Sequence, residues 1–179
     1  LEPSSTNLVV NSNASFITNG TSISYNNITS PDGTQNGFKV QSTTTGTAVF
    51  VRTDNISFTD PVTFSAFVKY GNNQWLQFLD SNSSSHYFNF DVQNGVFGTS
   101  AGGTTNLKAV EFANGWYRVS GTFTGVSASA SFRIYVNDRT DAAYGSAVSS
   151  AIGQYFYAFG WQVENLAFRT SYIPTAGTT

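Results

Sequence analysis

Residues 62–80 read "VTFSAFVKYGNNQWLQFLD", two runs of alternating character on either side of a Gly-Asn-Asn turn. Phe64, Ala66, Val68 and Tyr70 fall on one face of the first run, with Ser65, Phe67 and Lys69 on the other. A period of two marks extended backbone, because successive side chains of a strand point to opposite faces. Gly71-Asn72-Asn73 then predicts a turn and Gln74–Asp80 a second strand beside the first.

The pattern repeats in both directions. "HYFNFDV" (86–92) sets His86, Phe88, Phe90 and Val92 against Tyr87, Asn89 and Asp91, and Asn94-Gly95 predicts a hairpin into "GVFGTS" (95–100). "GWYRVSGTFTG" (115–125), "ASFRIYVND" (130–138) and "QYFYAFGWQVE" (154–164) are further strand candidates. "NGFKVQS" (36–42) and "TAVFVRT" (47–53) read as a hairpin, and "NLVV" (7–10) as a short entry strand. No window of a dozen residues carries a 3.6-residue apolar period; Lys108–Asn114 and Ala142–Ile152 are the segments with room for one helical turn. About ten or eleven short strands, with turn residues every 8–12 positions, predict an all-β, two-sheet antiparallel β-sandwich of jelly-roll topology. We read residues 1–179 as one domain with its core over about 7–177.

Composition narrows the function classes. Charged residues are 10% of the chain, far below the usual quarter or so, and Ser, Thr, Asn and Gly take their place. The net charge of −2 and the lack of a basic cluster leave little counterion release to drive nucleic-acid binding. Apolar runs of a few residues predict no membrane insertion. Without cysteine, the fold rests on its core, for which 16 Phe, 9 Tyr and 3 Trp are available. The Asn-x-Ser/Thr matches at Asn13, Asn19, Asn27, Asn55 and Asn82 number about what chance supplies in a chain with 17 Asn.

Catalytic signatures are scarce. His86 is the only histidine, so no His-based metal triad forms and a nucleophile has little choice of base. Glu2, Glu111 and Glu164 are isolated, and the carboxylate pair of a glycoside hydrolase would need Asp80 and Asp91 to converge from neighbouring strands. The chain therefore reads as non-catalytic and requires no cofactor. Pro31-Asp32-Gly33 reads as a turn; a structural calcium ion would have Asp32 and Glu164 to draw on.

Non-catalytic sugar recognition asks for amphipathic rings beside amides, since a pyranose offers an apolar face and a rim of hydroxyls. Tyr70, Trp75, Gln77, His86, Tyr87, Asn89 and Asp91 lie close together around the turns at 71–73 and 81–85 and are the candidate carbohydrate-binding residues. Trp116 and Trp161 are assigned to structure, Trp161 in a row with Tyr155, Tyr157, Phe159 and Val163.

Four blocks carry a resemblance: "SPDGTQNGFKV" (30–40), "VTFSAFVKYG" (62–71), "NGWYRVSGTFT" (114–124) and "FGWQVENLAFRTSYIPTAG" (159–177). In order and spacing they resemble a jelly-roll domain of bacteriophage structural proteins, similar to concanavalin-A-like and carbohydrate-binding-module sandwiches. The resemblance implies a non-enzymatic module of a tail fibre, tailspike or head fibre, virion-borne and extracellular. Its expected partner is a cell-surface glycan, or else a neighbouring subunit in a homo-oligomer. A carbohydrate-binding module of a polysaccharide-degrading enzyme is the remaining alternative. Trp161 stands where that family more often has a small residue, which leaves both a buried and a displayed ring open.

Overall fold

The computed structural model describes residues 2–125 and 128–177. The strands in chain order are β1 (Ile17–Asn19), β2 (Thr21–Ile28), β3 (Gly37–Ser42), β4 (Phe50–Arg52), β5 (Ile56–Phe58), β6 (Val62–Tyr70) and β7 (Trp75–Asp80). They continue as β8 (Tyr87–Asp91), β9 (Val96–Ser100), β10 (Thr104–Phe112), β11 (Trp116–Phe123), β12 (Ala128–Ala130), β13 (Phe132–Asn137) and β14 (Tyr155–Glu164). One six-stranded sheet has the order β1-β4-β13-β7-β8-β9, the other β10-β11-β6-β14-β3-β2, and β5 pairs with β12 apart from both. Every ladder is antiparallel, and the chain changes sheet repeatedly, giving the expected β-sandwich.

The core lies between the inner faces and is built mainly of rings. Phe64 packs against Phe78, Phe132 and Trp161 with centroids 5.2–5.6 Å apart, and Phe78 stacks on Phe88 at 4.9 Å. All five are fully buried. Each contributes about 2–3 kcal/mol through its area, with tilted ring contacts adding to that. The alternation in β6 and β8 holds: Phe64, Ala66, Val68, Phe88, Phe90 and Val92 all belong to this core.

Four expectations are corrected. Gly37–Ser42 and Phe50–Arg52 do not form a hairpin; β3 pairs with β2 and β14, whereas β4 pairs with β1 and β13 in the opposite sheet. The turn at 71–73 likewise carries the chain from one sheet to the other, so β6 and β7 are not neighbours. Residues 7–10 form no strand ladder, but they take up the edge of β14 that β3 leaves free. Leu8 N–H donates to Val163 O at 2.8 Å, Trp161 N–H donates to Ser12 O, and the Asn7 amide bridges Trp161 O and Val163 N. The row in β14 is broken by a bulge between Phe159 and Gln162, where Gly160 adopts φ +61°. Phe156, Ala158, Trp161 and Val163 consequently face the main core, while Phe159 joins Phe67 and Trp116 on the other side with Tyr157 packed against them. An uninterrupted alternation would have put Trp161 with Phe159; the extra bulge residue moves it across.

Of the two undecided segments, Lys108–Asn114 completes β10 as far as Phe112 and then enters a 3₁₀ turn at Ala113–Gly115, and 142–152 is irregular. The strands at 17–19 and 21–28 carry no strong alternation. In β2 only Thr21 is buried, so a two-period pattern has nothing to encode there.

Each sheet also has a segment laid over its outer face. Residues 139–147 cross β7, β8 and β13, and the closing segment 165–173 crosses β6, β11 and β14. The chain ends are tied together, with Ser12 N donating to Thr175 O and Gly177 N to Val10 O.

Candidate functional site

The register of β7 against β8 places Trp75 opposite Asp91, Gln77 opposite Asn89 and Leu79 opposite Tyr87. Five of the candidate residues therefore share the outer face of one sheet. The segment crossing that face takes up polar atoms of two of them, Gln77 and Asn89. Gln77 Nε2 donates to Ala142 O and Ala143 O, both at 3.0 Å, and Gly145 N–H donates to Gln77 Oε1. Asn89 Nδ2 donates to Ala142 O and Thr99 O, while its Oδ1 accepts from Gln77 and Asn137. Gln77, Asn89 and Asn137 are sealed from solvent.

Asp91 is also buried rather than solvent-facing. Its carboxylate accepts from the backbone of Gln93 and Asn94 and from the Gln74 and Asn94 amides, fixing the β8–β9 hairpin. Trp75 and Tyr87 are half-buried. Trp75 spreads over β9, where a Cβ on Gly98 would come within 2.9 Å of its ring.

Two candidates fall elsewhere. Tyr70, 36% exposed, ends β6 in the other sheet. His86 turns inward: its ring stacks on Phe123 at 5.2 Å, Nδ1 meets Asp80 Oδ2 and Nε2 meets Thr124 O at 3.0 Å. The seven thus do not compose one open surface, and four of them, Gln77, His86, Asn89 and Asp91, are interior groups with internal partners.

Asp32 and Glu164 are occupied as well. Asp32 accepts from Ser30, Thr34 and Asn36. Burial pushes its carboxyl up, but these hydrogen bonds outweigh that and bring it down to about 2. Glu164, fully buried, accepts from Ser5 and Thr170. Among the described residues, no three His, Cys, Asp or Glu side chains gather as a metal cluster.

Beneath the closing segment, burial and the neighbouring Arg169 push Arg118 down to about 10, against the pull of Glu164. Its guanidinium lies 5.4 Å from the Phe67 ring centroid, and Arg169 donates to Arg118 O. This cluster fastens the segment that carries Tyr172 onto Phe67 and Phe159.

An open concavity of about 600 Å³ lies between residues 6–16 and 53–57, at the end of β4 and the start of β5. That volume falls within the range of ordinary ligand sites. Leu8, Val10, Phe16 and Ile56 supply its apolar wall, and Val10 is 51% exposed. Among the described residues Phe16 is the only aromatic one lining it; behind it, Trp161 lies 4.7 Å away and Phe38 5.1 Å away. Asn11, Asp54 and Asn55 form the polar wall.

The hydrogen-bonding state of this wall is opposite to that of the β7–β8 face. Among the described residues, the side chains of Asp54 and Asn55 form no hydrogen bond or ion pair, and Asn11 uses only its oxygen, toward Asn13 N. Among the described residues, Asp54 is the one charged lining residue. The neighbouring Arg52 turns its guanidinium to Thr53 O and is not part of the lining. The groove therefore offers spare donors and acceptors beside an apolar surface.

Nothing in the alternation pointed to these residues, because they lie on irregular backbone at a sheet edge. The available signal was weak: 6–16 holds the short run read as an entry strand, flanked by Asn7, Asn11 and Asn13, and 53–57 sets Asp54 and Asn55 beside a lone Ile56.

The fold defines the chain as an antiparallel β-sandwich with a lateral groove. No known family model matches the chain, and no curated protein matches it. Among the described residues, no helix is long and apolar enough to cross a membrane.

Proposed function

We propose that the chain is a non-catalytic glycan-binding module whose ligand lies in the groove between residues 6–16 and 53–57. The observation that carries the reading is the set of unused polar groups on Asn11, Asp54 and Asn55 facing the apolar wall of Phe16, Val10 and Ile56. A sugar needs that combination: hydroxyls that give and take hydrogen bonds, and a C–H face that sheds water against carbon. The low charge and hydroxyl-rich composition of the chain suit such a partner. Among the described residues a single carboxylate lines the groove, which supports binding without hydrolysis, since the usual glycosidase mechanism needs two. The order of the four sequence blocks supports a place on a phage virion appendage that meets the host surface.

A glycan array followed by titration of the best hit tests this. Phe16→Ala and Asn55→Ala should each weaken binding about tenfold or more, with Trp75→Ala leaving it unchanged. Loss confined to Trp75→Ala would move the site to the β7–β8 face.

A second reading, packing against a neighbouring subunit, is favoured by a different observation. β10 is a free sheet edge, and Val110 and Phe112 on it are 36% and 39% exposed. Phe168, 48% exposed, sits in the segment that Asn106 holds through Ala167 O. Edge strands of this kind pair readily with another chain. Light scattering across a concentration series reads it out, and Val110→Lys should abolish any dimer.

A further inference from the structure

We infer that the groove takes a neutral or amine-bearing glycan and discriminates against an acidic one. This rests on the glycan-binding reading above and names the class of sugar.

The inference follows from Asp54. Its carboxylate is exposed in the groove, and among the described residues no cation and no hydrogen-bond donor answers it. An ionised carboxylate only accepts hydrogen bonds, so a ligand covering it must present a donor: a hydroxyl, an amide N–H or an ammonium group. A uronate, sialate, sulfate or phosphate brought to the same place would set acceptor against acceptor and charge against charge. The nearest cation along the chain, Arg52, directs its guanidinium to Thr53 O and forms no ion pair with Asp54. Asn11 and Asn55 can serve either kind of group, so the selection falls on Asp54 alone. Like charges about 5 Å apart in a partly wet site lower affinity by about fivefold or more, and the effect fades as salt rises.

The test is a titration of the whole chain with three tetrasaccharides: N-acetylated chitotetraose (neutral), its de-acetylated counterpart (cationic) and tetragalacturonate (acidic). The expected result is that the acidic chain binds at least fivefold more weakly than the tighter of the other two. Asp54→Lys should reverse the order of the cationic and acidic chains, with Asp54→Asn bringing them close to equal. Equal or tighter binding of the acidic chain to the native protein overturns the inference, as does an unchanged order in Asp54→Lys. No binding by any of the three, with none across a broad glycan array, overturns the glycan reading itself and the selectivity with it.

Discussion

His86 Nδ1 lies 2.6 Å from Asp80 Oδ2, and both side chains are shut off from solvent. The other ring nitrogen, Nε2, reaches Thr124 O on the far side, and Asp80 Oδ1 accepts from the backbone of Asn82 and Ser83. The two residues therefore join the 81–85 turn to the end of β11. Histidine in this chain is a joint of the scaffold, set between a carboxylate and a backbone carbonyl.

Removing one partner leaves the other buried without its contact. His86→Ala should cost about 3 kcal/mol, and Asp80→Ala as much or more because the turn also loses its acceptor. Equilibrium urea unfolding measures both; a change below about 1 kcal/mol would show that the pair is solvated in solution.

The two buried tryptophans should respond differently to loss of the indole N–H. Trp116 Nε1 donates to Thr29 O at 3.2 Å, whereas Trp161 Nε1 has no partner among the described residues. Trp116→Phe deletes a hydrogen bond and strands a carbonyl, while Trp161→Phe deletes a donor that gains nothing. Trp116→Phe should be the more destabilising by about 1 kcal/mol. The reverse order in thermal or urea unfolding would mean that Trp161 finds an acceptor.

Gly160 carries the bulge that turns Trp161 inward. At φ +61°, a Cβ would also come within 3.0 Å of Phe67 Cδ2 and Tyr172 Cε2. Gly160→Ala should therefore lower stability by about 2 kcal/mol. It should also loosen the closing segment, measurable as faster amide exchange at Tyr172 and Ile173. Stability at the native level would contradict the bulge geometry.

Acid should loosen the 30–36 turn. The folded Asp32 carboxyl lies at about 2 against an ordinary value of 3.8. A depressed carboxyl adds stability that is fully present above the ordinary value and is lost as pH falls toward about 2. The group is largely exposed, so the effect is small and local. Asp32→Asn should flatten the pH dependence of turn protection between pH 4 and 2, followed by amide exchange at Thr34.

The fold was legible because its core strands alternate. Phe64, Ala66 and Val68, or Phe88 and Phe90, report their faces through residue type alone, and Asn94-Gly95 reports its hairpin through turn chemistry. Sheet membership was less legible. A short turn such as Gly71-Asn72-Asn73 reads alike whether the chain doubles back or crosses to the other layer, and which it does depends on packing many residues away. The bulge at Gly160 escaped for a related reason, since one inserted residue leaves a row of aromatics looking regular. The amides Gln77 and Asn89 had the chemistry of a sugar site, but an irregular segment 50 to 65 residues further on takes up their hydrogen bonds. Asn11, Asp54 and Asn55 gain their meaning only when two segments 40 residues apart come to face each other.

On the proposed reading, ligand enters between residues 6–16 and 53–57. Amide chemical-shift mapping of the labelled chain, titrated with the best glycan from an array, tests it most directly. Saturable shifts are expected at Val10, Asn11, Phe16, Asp54 and Asn55, with Trp161 Nε1 moving through its contact with Phe16. Shifts centred on Trp75, Tyr87 and the 139–147 segment, with the groove silent, would contradict it.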